Sequence, residues 1–182
     1  MKKIFKFSIL ISTILSLFAC NSNNVASNLK PLQVVTNVDV KKYMGKWYEI
    51  ADIPIPQQLG CVATTATYTL RADGQVDVLN ECRENTLDGK YKKAEGKAWV
   101  VDTVTNAKLK VSFFWPFAGD YWVIDLDNDY KYAVVGVPSR NYVWILSRSP
   151  IMDNETYQGI VKRLSEKDYD VSKLIKTPQN KN

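Results

Sequence analysis

Apolar residues fall along this chain in three regimes. The first is one unbroken run, "FSILISTILSLF" at 7–18, preceded by Lys2, Lys3 and Lys6. A positive stretch followed by a short apolar run is the plan of a secretory signal peptide, and the run is too short for the roughly 20 residues of a membrane-crossing helix. The second regime alternates apolar and polar residues in short blocks separated by turn residues. It predicts strands at 46–53, 61–71, 75–83, 91–101, 107–114, 119–126, 130–138 and 141–148. Asp73-Gly74 is the sharpest hairpin signal, because glycine supplies the positive φ a tight turn needs. No long crossover interrupts the series, so neighbouring strands pair antiparallel, and eight of them most simply close into a barrel that leaves no exposed edge. The third regime has helical spacing: Tyr157, Ile160, Val161 and Leu164 share one face of 153–167, with Asp153 or Asn154 as cap. The expected fold class is therefore all-β, an eight-stranded antiparallel up-and-down β-barrel with a C-terminal α-helix packed on its wall.

The flanks carry targeting and processing signals. "LFAC", 17–20, resembles a bacterial lipobox, with Ala19 just before Cys20. This implies that 1–19 is removed as a lipoprotein signal peptide and that Cys20 carries acyl chains such as palmitate, enough to hold the chain stably to a membrane. Asn21 stands where an aspartate would favour inner-membrane retention, so the expected location is the outer membrane, with the barrel in the periplasm. Residues 20–36 are Asn/Ser-rich and read as a flexible tether, 37–176 as the folded domain and 177–182 as a frayed tail. A short helical turn before Gly45 and a short ninth strand within 171–175 complete the reading.

Charge and composition narrow the chemistry. The net charge is +5, and removing Lys2, Lys3 and Lys6 leaves +2, so basicity gives little support to nucleic-acid binding. The chain has no histidine, which excludes a histidine general base and histidine-ligated zinc or haem. No metal and no cofactor is expected. Of three cysteines, Cys20 goes to lipid and Cys61 and Cys82 remain as a pair in an oxidising compartment. The Asp73-Gly74 turn sets them about one pleat apart on opposite faces, so a disulfide between them requires a bulge or an irregular strand start.

Three motifs in order carry a family resemblance. Gly45-x-Trp47 opens the first strand, Asp129-Tyr130 follows Asn128 between the sixth and seventh, and Arg148 ends the eighth in "WILSRSP". Together they resemble a lipocalin. The lipobox, "GKWYEIA" and "KVSFFWPF" are similar in particular to bacterial outer-membrane lipoprotein lipocalins. The motif residues would then be structural, with Arg148 over Trp47 at the closed end. Strand alternation is consistent with this, since the start of the first strand, the sixth-to-seventh turn and the end of the eighth strand all fall at one end.

The same alternation turns Ala66, Tyr68, Val78, Val111, Phe113, Tyr121, Val135, Tyr142 and Trp144 inward as candidate walls of a ligand cavity, while Val143 and Ile145 face the helix. Trp99 fits either face. The opposite end, the mouth, carries Ile53, Ile55, Leu59, Trp115 and Phe117, with Arg83 and Arg140 as candidates for an anionic headgroup. The resemblance implies a binding protein for a small hydrophobic ligand of the fatty acid or lysophospholipid class, not an enzyme. The competing readings are a structural lipoprotein that uses its apolar mouth, as in a homodimer, and a lipid-modifying isomerase using Glu49, Asp52, Tyr142 or the cysteines.

Overall fold

A computed structural model describes residues 29–180. The signal peptide, Cys20 and its acyl chains, the tether as far as residue 28, and residues 181–182 lie outside the described residues. The strands are β1 (Gly45–Ile53), β2 (Cys61–Leu70), β3 (Val76–Glu84), β4 (Tyr91–Val100), β5 (Lys108–Phe114), β6 (Phe117–Leu126), β7 (Tyr132–Gly136), β8 (Val143–Ser147) and β9 (Ile175–Lys176). Two α-helices, α1 (Val40–Tyr43) and α2 (Asn154–Glu166), and 3-10 turns at Pro56–Gln58 and Val171–Lys173 complete the fold. Strands β2 to β8 pair antiparallel in chain order, and β1 lies between β8 and β2, so the eight strands close into the expected barrel. Strand β6 starts two residues earlier than alternation suggested, which shortens the β5–β6 connection to Trp115-Pro116. Strand β8 starts two residues later, and Arg140 in the turn before it takes a left-handed φ of 58°.

The wall between β1 and β2 is paired only over its lower half, from Gly45↔Tyr68 to Tyr48↔Thr65. Above it, β1 shifts register between Glu49 and Ala51, and β2 between Val62 and Thr65. These bulges leave backbone groups without strand partners, and such groups need hydrogen bonds when buried. The C-terminal segment supplies several of them. The Ala63 N–H donates to Pro178 O at 2.7 Å, Thr177 N–H donates to Ile50 O at 3.0 Å, and the Gln179 amide donates to Glu49 O and Thr64 O, both at 2.8 Å. Residues 177–179 are thus part of the wall and not a frayed tail. The ninth strand is two residues long, and Val171–Lys173, expected as its start, forms a 3-10 turn.

The N-terminal expectation also needs correction. Only part of 20–36 can be tether, because Leu32 is buried, the Val35 N–H donates to Val123 O, and the Val38 N–H donates to Thr105 O. Leu32, Val34 and Val35 interrupt the polar run: Leu32 packs into the helix-side core, Val35 against the barrel core and Val34 against both.

Two apolar cores result from strand alternation. One fills the lower barrel and includes Trp47, Tyr68, Val78, Val123, Val135 and Leu146. The other lies between the wall and α2, where Val143 and Ile145 meet Tyr157, Ile160 and Leu164. The Asp153 carboxylate accepts from the Thr156 N–H at 2.8 Å and caps α2. Completely burying a side chain such as Ile160 is worth about 1.5–3 kcal/mol, so the apolar face holds the helix in place.

Candidate binding cavity

The lower end of the barrel is plugged. Trp47 is completely buried, and its indole N–H donates to Tyr43 O at 2.9 Å. The Arg148 guanidinium lies 3.7 Å from the Trp47 ring centroid and donates to the carbonyls of Lys42, Tyr43, Met44 and Lys46 at 2.8–3.2 Å. Gly45 has φ 94°, and a Cβ there would come within 3.3 Å of the Arg148 side chain, so glycine suits both the backbone and the close approach. The Tyr130 hydroxyl accepts from the Asp39 N–H at 2.8 Å and ties the start of α1 to the same end. Asp129 sits at this end too, but on the surface, where it pairs with Lys131. It does not touch the plug.

Above the plug, three tyrosines close the floor. The Tyr43 and Tyr121 hydroxyls are 2.8 Å apart, and Tyr121 donates to Tyr68 at 2.9 Å. Burial pushes Tyr68 up to about 12 and holds Tyr43 and Tyr121 well above the usual phenol range. Tyr68, Val78, Val111 and Tyr121 line a void of about 20 Å³ there, room for about one water and no lipid. Val135 is completely buried in the wall beside it.

Higher up, the inward-facing positions change character. In β4 they run from buried Ala98 through half-buried Gly96 to exposed Ala94, and in β6 from buried Val123 through half-buried Tyr121 to exposed Gly119. These upper residues are small, and a Cβ added to Gly119 would meet nothing within 4 Å. Buried Ala66 pairs with Asn80, whose buried Oδ1 has no hydrogen-bond partner. The Phe113 ring rests against Gly96 and is 43% exposed. The interior is therefore filled below and open above.

One side of this upper interior is polar. The Trp144 indole N–H donates to Gln58 Oε1 at 2.8 Å, and the Gln58 amide donates to Glu49 Oε2 at 3.1 Å. The Thr177 hydroxyl donates to Glu49 Oε1 at 2.7 Å. Burial, reinforced by the neighbouring Asp52, raises Glu49 to about 7, and burial raises Asp52 to about 6. The Tyr142 ring stands 6.5 Å from that of Trp144, just above the start of β8. Sequence reasoning named Glu49 and Asp52 only as acids for catalysis and missed Gln58, Asn80, Tyr43 and Thr177. Glu49 was legible as a wall residue, being two positions beyond Trp47 on one strand. Gln58 and Thr177 lie in a loop and a tail and gave no periodic signal.

At the mouth, Ile53 is buried in the helix-side core and belongs to the wall. Arg140 donates to the carbonyls of Lys30, Pro138 and Lys167, and the Arg83 guanidinium lies 5.4 Å from the Tyr91 ring. Trp99 faces outward, pairing with Lys110, and lines an outer groove of about 1090 Å³ with Leu79 and Thr67. Cys61 and Cys82 form a disulfide with a Cα–Cα distance of 5.5 Å. The required bulge is present: Ala63 takes φ 48° within the β2 register shift, which brings Cys61 to the face of Cys82.

A closed antiparallel barrel, plugged at one end and open at the other with a helix against its wall, defines a cup-shaped binding protein for one small ligand. This chain belongs to the lipocalin family. The family model for the lipocalin-like domain matches residues 38–179. The chain is 47% identical to temperature-induced lipocalin-1 of Arabidopsis thaliana over 160 residues, 83% of this chain and 84% of that one. It is 45% identical to the outer membrane lipoprotein Blc of Escherichia coli strain K12 over 142 residues, 78% and 80% of the two chains. Insecticyanin from the tobacco hornworm Manduca sexta shares the fold, with a TM-score of 0.67 at 21% identity over 84% of this chain and 86% of that one.

Proposed function

We propose that this chain is a cell-envelope lipocalin, tethered to the outer membrane through acylated Cys20, that holds a fatty acid or lysophospholipid in its upper barrel. One observation carries the reading: inward-facing residues of β4 and β6 give way to small, exposed ones toward the mouth, while the floor is packed. An apolar chain fits against Phe113, Tyr142 and Trp144, a site that is mostly apolar with a few placed polar groups. Glu49 and Asp52 set the polarity of that ligand. Two acids at this depth, partly ionised near neutral pH, oppose an anionic head, so the tail enters first and the head stays at the mouth. The relatives named as outer membrane lipoproteins support the location.

Delipidated protein titrated with a fluorescent fatty acid or lysophospholipid tests this. Saturable uptake is expected, weakened by Trp144→Ala and by Gly119→Phe, which places a ring in the open space. The absence of saturable binding by either lipid class refutes the proposal.

A further inference from the structure

We propose that the mouth is a membrane-docking surface, with Phe114, Trp115 and Phe117 at the tip of the β5–β6 hairpin immersed in the interface of an anionic bilayer. These side chains are 75%, 77% and 72% exposed, and Leu59 in the neighbouring β1–β2 loop is 67% exposed. Folded proteins rarely present so much contiguous aromatic surface without a partner. Trp115 borders the outer groove, while the Phe114 and Phe117 rings stack on each other at 6.3 Å and stand open to solvent; amphipathic tryptophan favours the membrane–water boundary.

The charge of the mouth is compatible with an anionic surface. The mouth loops, 54–60, 85–90, 115–116 and 137–142, contain one acid, Asp88, and two bases, Lys90 and Arg140. The opposite loops, 71–75, 101–107 and 127–131, contain four acids, Asp73, Asp102, Asp127 and Asp129, against Arg71 and Lys131. At the closed end α1 and the strand ends beside it add Asp39, Lys41, Lys42, Lys46 and Arg148, so charge bars neither end, and the mouth, with two bases against one acid, accepts an anionic surface.

The chain outside the described residues points the same way. Lys30 O accepts from Arg140 in the β7–β8 turn, so the first described residues lie at the mouth, and the segment then runs down to Thr105 at the closed end. Eight residues lie between Cys20 and Leu29. Random-coil statistics for that number of residues give roughly 16 Å end to end. The barrel is roughly 25 Å tall, from ten-residue strands tilted by about 40°. A membrane at the mouth leaves this tether relaxed, whereas one at the closed end would stretch it nearly to full extension. Docked this way, the cup opens onto the lipid from which a ligand enters without crossing water. The inference shares with the proposed function only the acyl group on Cys20.

The test uses the full acylated protein in phosphatidylethanolamine/phosphatidylglycerol vesicles. With Cys20 acylated and Cys61 bonded to Cys82, an introduced cysteine is the free thiol. An environment-sensitive nitrobenzoxadiazole label is placed at Phe117→Cys or Trp115→Cys, and at Val104→Cys, which is 86% exposed at the closed end. The mouth labels are expected to shift to the blue and to be quenched by doxyl-labelled lipid several-fold more than the label at 104. Equal quenching at both ends, or stronger quenching at 104, overturns the proposal. So does a blue shift at 117 that appears without vesicles and grows with protein concentration, because a second copy would then cover the tip. Neither outcome changes the ligand titration in solution, so the docking surface and the lipid-binding cup fail separately.

Discussion

Glu49 makes the polar side of the cup responsive to pH. An ordinary glutamate loses its proton near 4.5, whereas burial beside Asp52 holds the Glu49 proton to about 7. Below pH 4.5 the folded and unfolded chains both carry this proton, and pH has no effect through it. Between 4.5 and 7 the unfolded chain has released the proton and the folded chain keeps it, so rising pH favours unfolding. Each pH unit of that interval is worth about 1.4 kcal/mol, which gives a loss of about 3 kcal/mol by pH 8. Glu49→Gln keeps an oxygen for the Thr177 hydroxyl and removes the charge. It is expected to match the parent near pH 4 and to be more stable at pH 8 by up to about 3 kcal/mol, with a shallower decline between. Asp52, raised in the same direction, leaves part of the slope in place. Urea denaturation from pH 4 to 8 with the disulfide intact measures both curves. Parallel curves for parent and variant would refute the argument, since they would mean that Glu49 ionises alike in the folded and unfolded chains.

Two further substitutions probe the closed end and the seam. Arg148→Met removes four charge-assisted bonds to carbonyls and the contact over Trp47, and is expected to cost at least about 3 kcal/mol in urea denaturation. Arg148→Lys should not restore the loss, because a single ammonium cannot reproduce the guanidinium fork. Gln179→Ala leaves the Glu49 and Thr64 carbonyls unpaired at the β1–β2 seam. A loss of about 1–2 kcal/mol and faster proteolysis of the C-terminal segment are expected, and an unchanged proteolysis rate would show that the segment does not seal the wall.

Local periodicity determined most of the barrel. A two-residue repeat with turn residues at short intervals leaves few topologies, and it set which side chains share a face, so Leu146 and Trp144 could be assigned inward and Val143 and Ile145 outward. The plug was legible for the same reason, because strand order alone brings the starts of β1 and β7 and the end of β8 to one end. What broke period two was not legible. The bulges at Glu49 and Val62 each depend on a partner strand, and the wall they leave open is completed by Thr177–Gln179, which read locally as a polar tail. Trp99 had apolar neighbours on both faces, and only its pairing with Lys110 decided that it points outward. The Asn/Ser-rich leader behaved alike: Leu32 looks isolated in sequence and is buried only because the helix-side core supplies the surface beneath it. By itself the sequence determined the strand count, their order and the closed end, since these follow from local patterning. Tertiary structure decided how the barrel wall is completed, how far the cup is filled and which end the tether leaves from, because each depends on contacts between residues far apart in the chain.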